Sequence, residues 1–429
     1  MIGALRKALA TDAAPAVVST AVRSVGRMVA AIVIARMTGL DGFATFTLLV
    51  TVELISVNAI NALLASPPTV LAQGRRSQLR SVLFRTAECT QTLAAWPLSL
   101  AMMWILVASG LPLLIAGAFS GYLFISAVFQ ARRATYIARF NSQPVLRAEA
   151  LIACAAIAVP LAGILTNADV LLTFWLSQAI VHGLTLLWIR PTARTSASRR
   201  TWRVARGAIL RTGAKMLAGS IATSVSGRSL PLLIGWLIGP AAIAVFGAAS
   251  TAAAPIRLLS GSIRGALLPR LSGARGRDAA RWTGANTAKL FIIAVGGGLA
   301  IVAASAIASP LLTLVFGDDF RGSQPLVPFV VALALVALAS SGVSTFRQGQ
   351  GASGFCAFVR WMAAATTPLV AFAGASLGGL QGVVVGTVAL EVAILTVLIV
   401  GPRQCKGHQR SRPSTTRTRG SDSMRLAHP

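Results

Sequence analysis

Ionisable residues inside long apolar runs carry most of the chemical information in this sequence. Arg23 and Arg27 stand four positions apart in such a run, so on a helix they share one face. Counting from residue 15 at 1.5 Å per residue puts them roughly 12 and 18 Å deep in a helical span. Arg228 falls roughly 21 Å into a later run. An ionisable group at mid-membrane costs about 2.5–3.5 kcal/mol on the insertion scale, so each needs a reason. Guanidinium forks bind phosphate oxygens in bidentate fashion, which makes Arg23, Arg27 and Arg228 candidate ligands for an anionic, phosphate-bearing substrate. Pairing with buried acids, or snorkelling to the interface, is the structural alternative. Arg257, Arg264, Arg347 and Arg360 lie near expected span ends. There they either snorkel or form a cytoplasmic rim that first captures an anionic lipid.

Two acids fall near expected span centres, Glu53 and Glu391. Glu53 is a counter-ion for Arg27 or a proton or cation site coupling transport to an ion gradient. Glu391 has no obvious partner in the sequence; it is a second candidate for coupling or for a counter-ion, and a protonated state is open to it. Glu88 and Glu149 are expected at helix starts, where the positive end of the helix suits a carboxylate and a structural role suffices. Asn58 and Asn61 follow Glu53 and either bond sugar hydroxyls or serve helix packing. No nucleotide-binding glycine loop is present, and no HExxH, CxxC or triad-like pattern stands out. The four cysteines and three histidines form no spaced set, so neither a metal nor a cofactor is expected and the chain does not read as an enzyme.

The elements that must position these groups follow from composition. Of 429 residues, 55% are hydrophobic and 12% charged, with mean hydropathy +0.74. A soluble domain carries about 25% charged residues. A compact soluble enzyme, a disordered chain and a disulfide scaffold are thereby excluded. With 39 basic against 11 acidic residues the formal charge is +28. A nucleic-acid partner is nonetheless not expected, because the apolar content comes in helix-spanning blocks.

A bilayer core of about 30 Å needs roughly 20 helical residues. That ruler marks twelve spans, at 15–36, 42–66, 83–108, 110–130, 148–167, 170–189, 214–238, 241–264, 288–316, 324–346, 357–376 and 379–401. Pro97, Pro160, Pro231, Pro255, Pro310 and Pro368 are expected to interrupt several of them. Arginines crowd alternate connections, so the positive-inside rule predicts both termini in the cytoplasm of a bacterial inner membrane. The start reads as an uncleaved anchor. The predicted organisation is a short N-terminus (1–14), a six-helix bundle (15–189), a basic linker (190–213), a second six-helix bundle (214–401) and a disordered basic tail (402–429) in contact with membrane lipids.

Two segments repeat at an offset of 200: Ala31–Phe46 and Pro231–Phe246, aligning Gly39 with Gly239 and Phe46 with Phe246. The fold expected is therefore an all-α polytopic membrane protein of two parallel six-helix halves around a central cavity, suited to alternating access.

The run Gly42-Phe43-Ala44-Thr45-Phe46 after its glycine turn resembles the first helix pair of bacterial polysaccharide flippases. So do Leu233–Phe246, the phrase Leu267–Ser272, and Ser309–Phe320. These transporters belong to the multidrug/oligosaccharidyl-lipid/polysaccharide exporter superfamily, and the resemblance covers roughly residues 15–400. It implies movement of a polyprenyl-pyrophosphate-linked oligosaccharide from the cytoplasmic to the outer face of the membrane. Glycosyltransferases or a polymerase of the same pathway would be partners. Two other readings stand beside it. One is a cation-coupled organic-cation antiporter of the same architecture, using Glu53 and Glu391. The other is a membrane scaffold whose basic loops recruit glycosyltransferases.

Overall fold

The computed structural model describes residues 14–71, 77–138, 143–166, 168–190, 198–254, 256, 298, 301–307, 309–349 and 352–401. Among them there is no strand. In chain order the helices are α1 (Ala14–Ile60), a π-helical turn (Asn61–Ala65), α2 (Ser66–Leu71), α3 (Ser77–Ala108), α4 (Leu113–Ala138), α5 (Gln143–Thr166), α6 (Val170–Trp188), α7 (Arg199–Gly227), α8 (Leu230–Leu237) and α9 (Pro240–Ala252). After helical residues 301–307 follow α10 (Leu311–Phe316), a 3-10 stretch (Asp318–Leu326), α11 (Val327–Gly349) and α12 (Ser353–Val400).

Seven of these segments are long and apolar enough to cross a membrane. Two of the seven are far too long for one crossing. Arg27 and Glu53 both lie in α1, where a straight helix would hold them about 39 Å apart. They form an ion pair instead, so α1 folds back on itself. The reversal sits at Gly39, at φ 63° and ψ −160°. The equivalent residue of the repeat, Gly239, stands at φ 124° between α8 and α9. A left-handed or mirror-image backbone is strained for any residue with a Cβ, so the aligned glycines are what allow each hairpin to turn in so few residues. α12 reverses likewise at Gly378 and Gly379, which brings Gly374 and Gly382 into backbone contact.

The helices associate in two groups. α1 packs most extensively on α5, α3 on α4, and α6 on both α4 and α5; later in the chain, α12 packs on α7, α8 and α11. Small residues permit these approaches, as expected where lipid removes the hydrophobic drive between helices and van der Waals fit must supply it. A Cβ on Gly26 of α1 would sit 2.6 Å from that of Ala153 on α5.

The groups also touch each other. At the end bearing the glycine turns, Phe43 meets Phe316 and Phe320 edge-on, with centroids 5.8 and 5.5 Å apart. Within the first group, Phe46 meets Phe174 at 5.4 Å behind it. Beside this cluster Arg36 donates from Nε to the Val315 carbonyl at 2.8 Å and from Nη2 to that of Leu314, capping the end of α10. Towards the other end, α7 crosses the π-helical turn so closely that a Cβ on Gly213 would lie 1.8 Å from the Leu63 carbonyl oxygen.

Three expectations need correction. Pro97, Pro160 and Pro368 do not interrupt their spans; they lie inside continuous helices. Each removes one hydrogen bond, which a packed membrane helix tolerates. Pro231 begins a new helix and Pro310 precedes one, whereas Pro255 lies outside the described residues. The basic stretch from Arg199 is not a linker but the first turns of α7, capped by Ser198, whose Oγ accepts from the Thr201 N–H at 3.2 Å. Glu88 and Glu149 are not at helix starts either, because α3 and α5 begin earlier, at Ser77 and Gln143.

The Gly213 contact yields a direct test. Gly213→Ala drives a methyl into backbone and should cost about 1–3 kcal/mol of stability. Gly219→Ala on the same helix has open space around it and should be neutral within error. Thermal unfolding of the two purified variants in detergent measures the difference.

Candidate functional site

The charged residues of the first helices form a continuous row. Arg27 donates to Glu53 and, from Nη2, to the Tyr122 hydroxyl at 2.8 Å. That hydroxyl in turn donates to Glu53 Oε1 at 2.5 Å. Arg23 lies between two acids, 3.7 Å from Glu53 and 3.6 Å from Glu149. Arg133 closes the row, with Nε 3.0 Å from Glu149 Oε1 and Nη2 donating to Thr20 Oγ1 at 3.0 Å. The hairpin of α1 supplies Arg23, Arg27 and Glu53, α4 supplies Tyr122 and Arg133, and α5 supplies Glu149. The cations are more exposed than the acids: the Arg27 side chain is 29% exposed, Arg133 21% and Arg23 14%, against 3% for Glu53 and none for Glu149. Three guanidiniums therefore share two carboxylates, and the cation nearest solvent has its acid behind it.

Around the row stand buried groups of α4 and α6. His182 packs edge-on against Tyr122 and Phe129, at 5.1 and 5.3 Å, and its Nδ1–H donates to the Gln178 carbonyl at 2.7 Å. Trp175 packs on Phe119 at 4.8 Å. Arg132 makes a separate pair with Glu88 at 2.8 Å and caps the end of α6 through the carbonyls of Leu186 and Ile189. This pair lines a cavity of about 410 Å³ together with Arg85, Cys89, Thr92 and Leu93.

From the second group of helices, Arg228 reaches across to α1. Its Nη1 donates to the Leu54 carbonyl at 3.2 Å, one residue along from Glu53. Arg27 and Arg228 thus engage neighbouring positions of one helix from opposite halves of the chain. Asn58 is turned onto its own helix, donating to that same Leu54 carbonyl, and its backbone carbonyl accepts from Ser220 Oγ at 3.4 Å. Asn61 opens the π-helical turn, and its Oδ1 is buried with no hydrogen-bond partner among the described residues. Such wide turns recur at functional sites.

Glu391 stands as a counter-ion, one of the two roles the sequence leaves open to it. It has a partner, Arg360, whose Nη1 lies 3.2 Å from Glu391 Oε1. Ser340 ties the two together, donating to Glu391 at 3.2 Å and accepting from Arg360 at 2.8 Å. Arg347 and Arg360 are consequently buried rather than set on a rim. Arg347 caps the end of α12 through the carbonyls of Ile399 and Gly401 and lies 5.3 Å over the Phe355 ring. Both acquire partners from spans distant in sequence, which spacing along one helix does not reveal. Arg257 and Arg264 lie outside the described residues. Tyr122 and Arg133 went unnoticed in the sequence for the same reason, since each joins the row only through packing between helices. Among the described residues no cluster of His, Cys, Asp or Glu fits a metal.

Glu149 is the most buried member of the row, held between Arg23 and Arg133. Glu149→Gln leaves two guanidiniums facing an amide and should cost about 3–5 kcal/mol, as breaking a buried pair does. Adding Arg133→Gln should recover part of that loss. A double-mutant cycle on thermal stability in detergent checks both.

Comparisons with known proteins bear on this arrangement. Residues 112–325 match the model of a family described as polysaccharide biosynthesis protein. No curated protein matches the chain. Solved structures share its fold. One is an inward-facing multidrug resistance MATE family transporter of the MOP superfamily, 16% identical over 87% of this chain and 92% of that one, with TM-score 0.70. Another is the eukaryotic MATE transporter AtDTX14, 14% identical over 93% and 96%, with TM-score 0.67. A third is a MOP superfamily transporter from Pyrococcus furiosus, reported to have a binding pocket of reverse polarity that suggests a different function, 14% identical over 91% and 94%, with TM-score 0.58. The chain thus has the fold of these MATE transporters, that of an all-α multi-pass membrane protein, and within it residues 112–325 resemble the polysaccharide biosynthesis family.

Proposed function

We propose that this protein is a flippase for a lipid-linked oligosaccharide, carrying a polyprenyl-pyrophosphate-linked glycan from the cytoplasmic to the outer face of the bacterial inner membrane for surface polysaccharide synthesis. The observation that carries this reading is the surplus of guanidinium over carboxylate in the row, with Arg27 as its most exposed member. A pyrophosphate offers the oxygens such a fork binds best. Arg228, arriving at Leu54 from the other half, supplies a second cation beside the first. The match to a polysaccharide biosynthesis family supports the same substrate class. In this reading the two helix groups part at alternate ends around a shared chamber, no bond is made or broken, and Asn58 and Asn61 meet sugar hydroxyls once the helix rearranges.

The shared fold of multidrug transporters favours a second reading, an organic-cation antiporter. Such a protein needs acids free to meet a cation. Here Glu53 and Glu391 are both engaged by arginines, which favours the anionic substrate.

Arg27→Ala and Arg228→Ala should each lower export of surface glycan roughly tenfold or more, the worth of one charge-assisted contact, with protein level unchanged. Quantifying surface polysaccharide in a deletion strain complemented with each variant checks this. Normal glycan output with hypersensitivity to cationic dyes in the deletion strain would transfer the case to the antiporter.

A further inference from the structure

Arg23 is the least committed charge in the row. It lies within ion-pair range of both Glu53 and Glu149, at 3.7 and 3.6 Å, yet at those lengths it makes no hydrogen bond to either. Its Nε is buried without a hydrogen-bond partner. Glu149 has a closer cation in Arg133, at 3.0 Å, although neither carboxylate oxygen accepts a hydrogen bond from it. Glu53 holds Arg27 and the Tyr122 hydroxyl. By charge the row contains one guanidinium more than its two acids, placed between them and within about 1 Å of a normal hydrogen bond to Glu53.

This bears on a cost that any anion meeting Arg27 must face. Drawing Arg27 away from Glu53 leaves a carboxylate that is only 3% exposed. An unpaired charge in such a place is either neutralised by a proton or given another cation. We propose that Arg23 is that cation: a positioning residue that moves onto Glu53 when Arg27 turns to an anionic headgroup. The exchange conserves charge within the bundle. One guanidinium leaves Glu53, another replaces it, Arg133 stays on Glu149, and no proton is taken up. This inference rests on the reading of Arg27 as a headgroup ligand, and it removes Arg23 from the set of direct ligands. The other groups around the exchange are Tyr122 and Arg133 from α4, Glu149 from α5, His182 from α6 and Arg228, the residue that ends α7.

The test is calorimetric titration of the purified full chain in lipid nanodiscs with a short-chain prenyl diphosphate-linked hexose, whose two phosphate charges do not change between pH 5.5 and 8.5. For the wild type the affinity should not vary across that range, and the heat should not depend on the ionisation enthalpy of the buffer. Arg23→Met deprives Glu53 of its replacement. Binding to that variant should then take up close to one proton per ligand and weaken by up to about tenfold per pH unit as the pH rises. In Arg23→Met/Glu53→Gln the pH dependence should vanish again. A merely structural role for Arg23 would leave the pH profile flat in Arg23→Met, and that result overturns the proposal. So does uptake of a proton by the wild type, or loss of binding by Arg23→Met at every pH, which would make Arg23 a direct ligand. Failure of the wild type to bind the probe at all overturns the headgroup reading of Arg27 and this inference with it.

Discussion

Charge buried in an apolar bundle must be balanced close at hand, and the N-terminal helices are arranged around that demand. Arg27 and Glu53 can neutralise each other only if α1 reverses, and the reversal is possible only because Gly39 accepts a positive φ. α4 and α5 then complete the row with Tyr122, Arg133 and Glu149. The balance leaves one cation over. In water such a surplus would be trivial; in a low-dielectric interior it sets which sign of ligand is welcome.

The second half resolves the same demand differently. Arg360, Ser340 and Glu391 form a closed set with equal charges and every strong contact used. Arg347 is spent on the carbonyls that end α12. A repeat that is evident in the backbone, with Gly39 and Gly239 at matching turns, therefore does not extend to the polar interior. Among the described residues, the row of the first half carries one guanidinium beyond its carboxylates, whereas this set of the second half is balanced.

Much of the fold was legible from the sequence because hydropathy and glycine placement report on single helices. The turns at Gly39, Gly110, Gly239, Gly317 and Gly379 all fall at expected connections of the arginine-poor side. The phrases around Phe43 and around Phe316–Phe320 proved to be in physical contact, which explains why both carry aromatics. The site was less legible. Arg23, Arg27 and Glu53 were visible as ionisable groups out of place, but spacing along a chain shows neighbours only on one helix. That Glu391 meets Arg360, that Glu149 lies deep inside α5, and that Tyr122 bridges Arg27 to Glu53 are facts of packing between helices. The π-helical turn was hidden too, since Asn61–Ala65 has an ordinary helical composition.

The meeting of Gly213 with the Leu63 carbonyl has a mechanical corollary. Interlocked side chains resist tilting like meshed teeth, and they must disengage before two bodies can rock. Bare main chain laid against main chain offers no teeth, so it can roll through an arc while staying in touch. At such a spot the spacing of the two segments is set by main chain alone, and nothing larger than a hydrogen at position 213 fits between them.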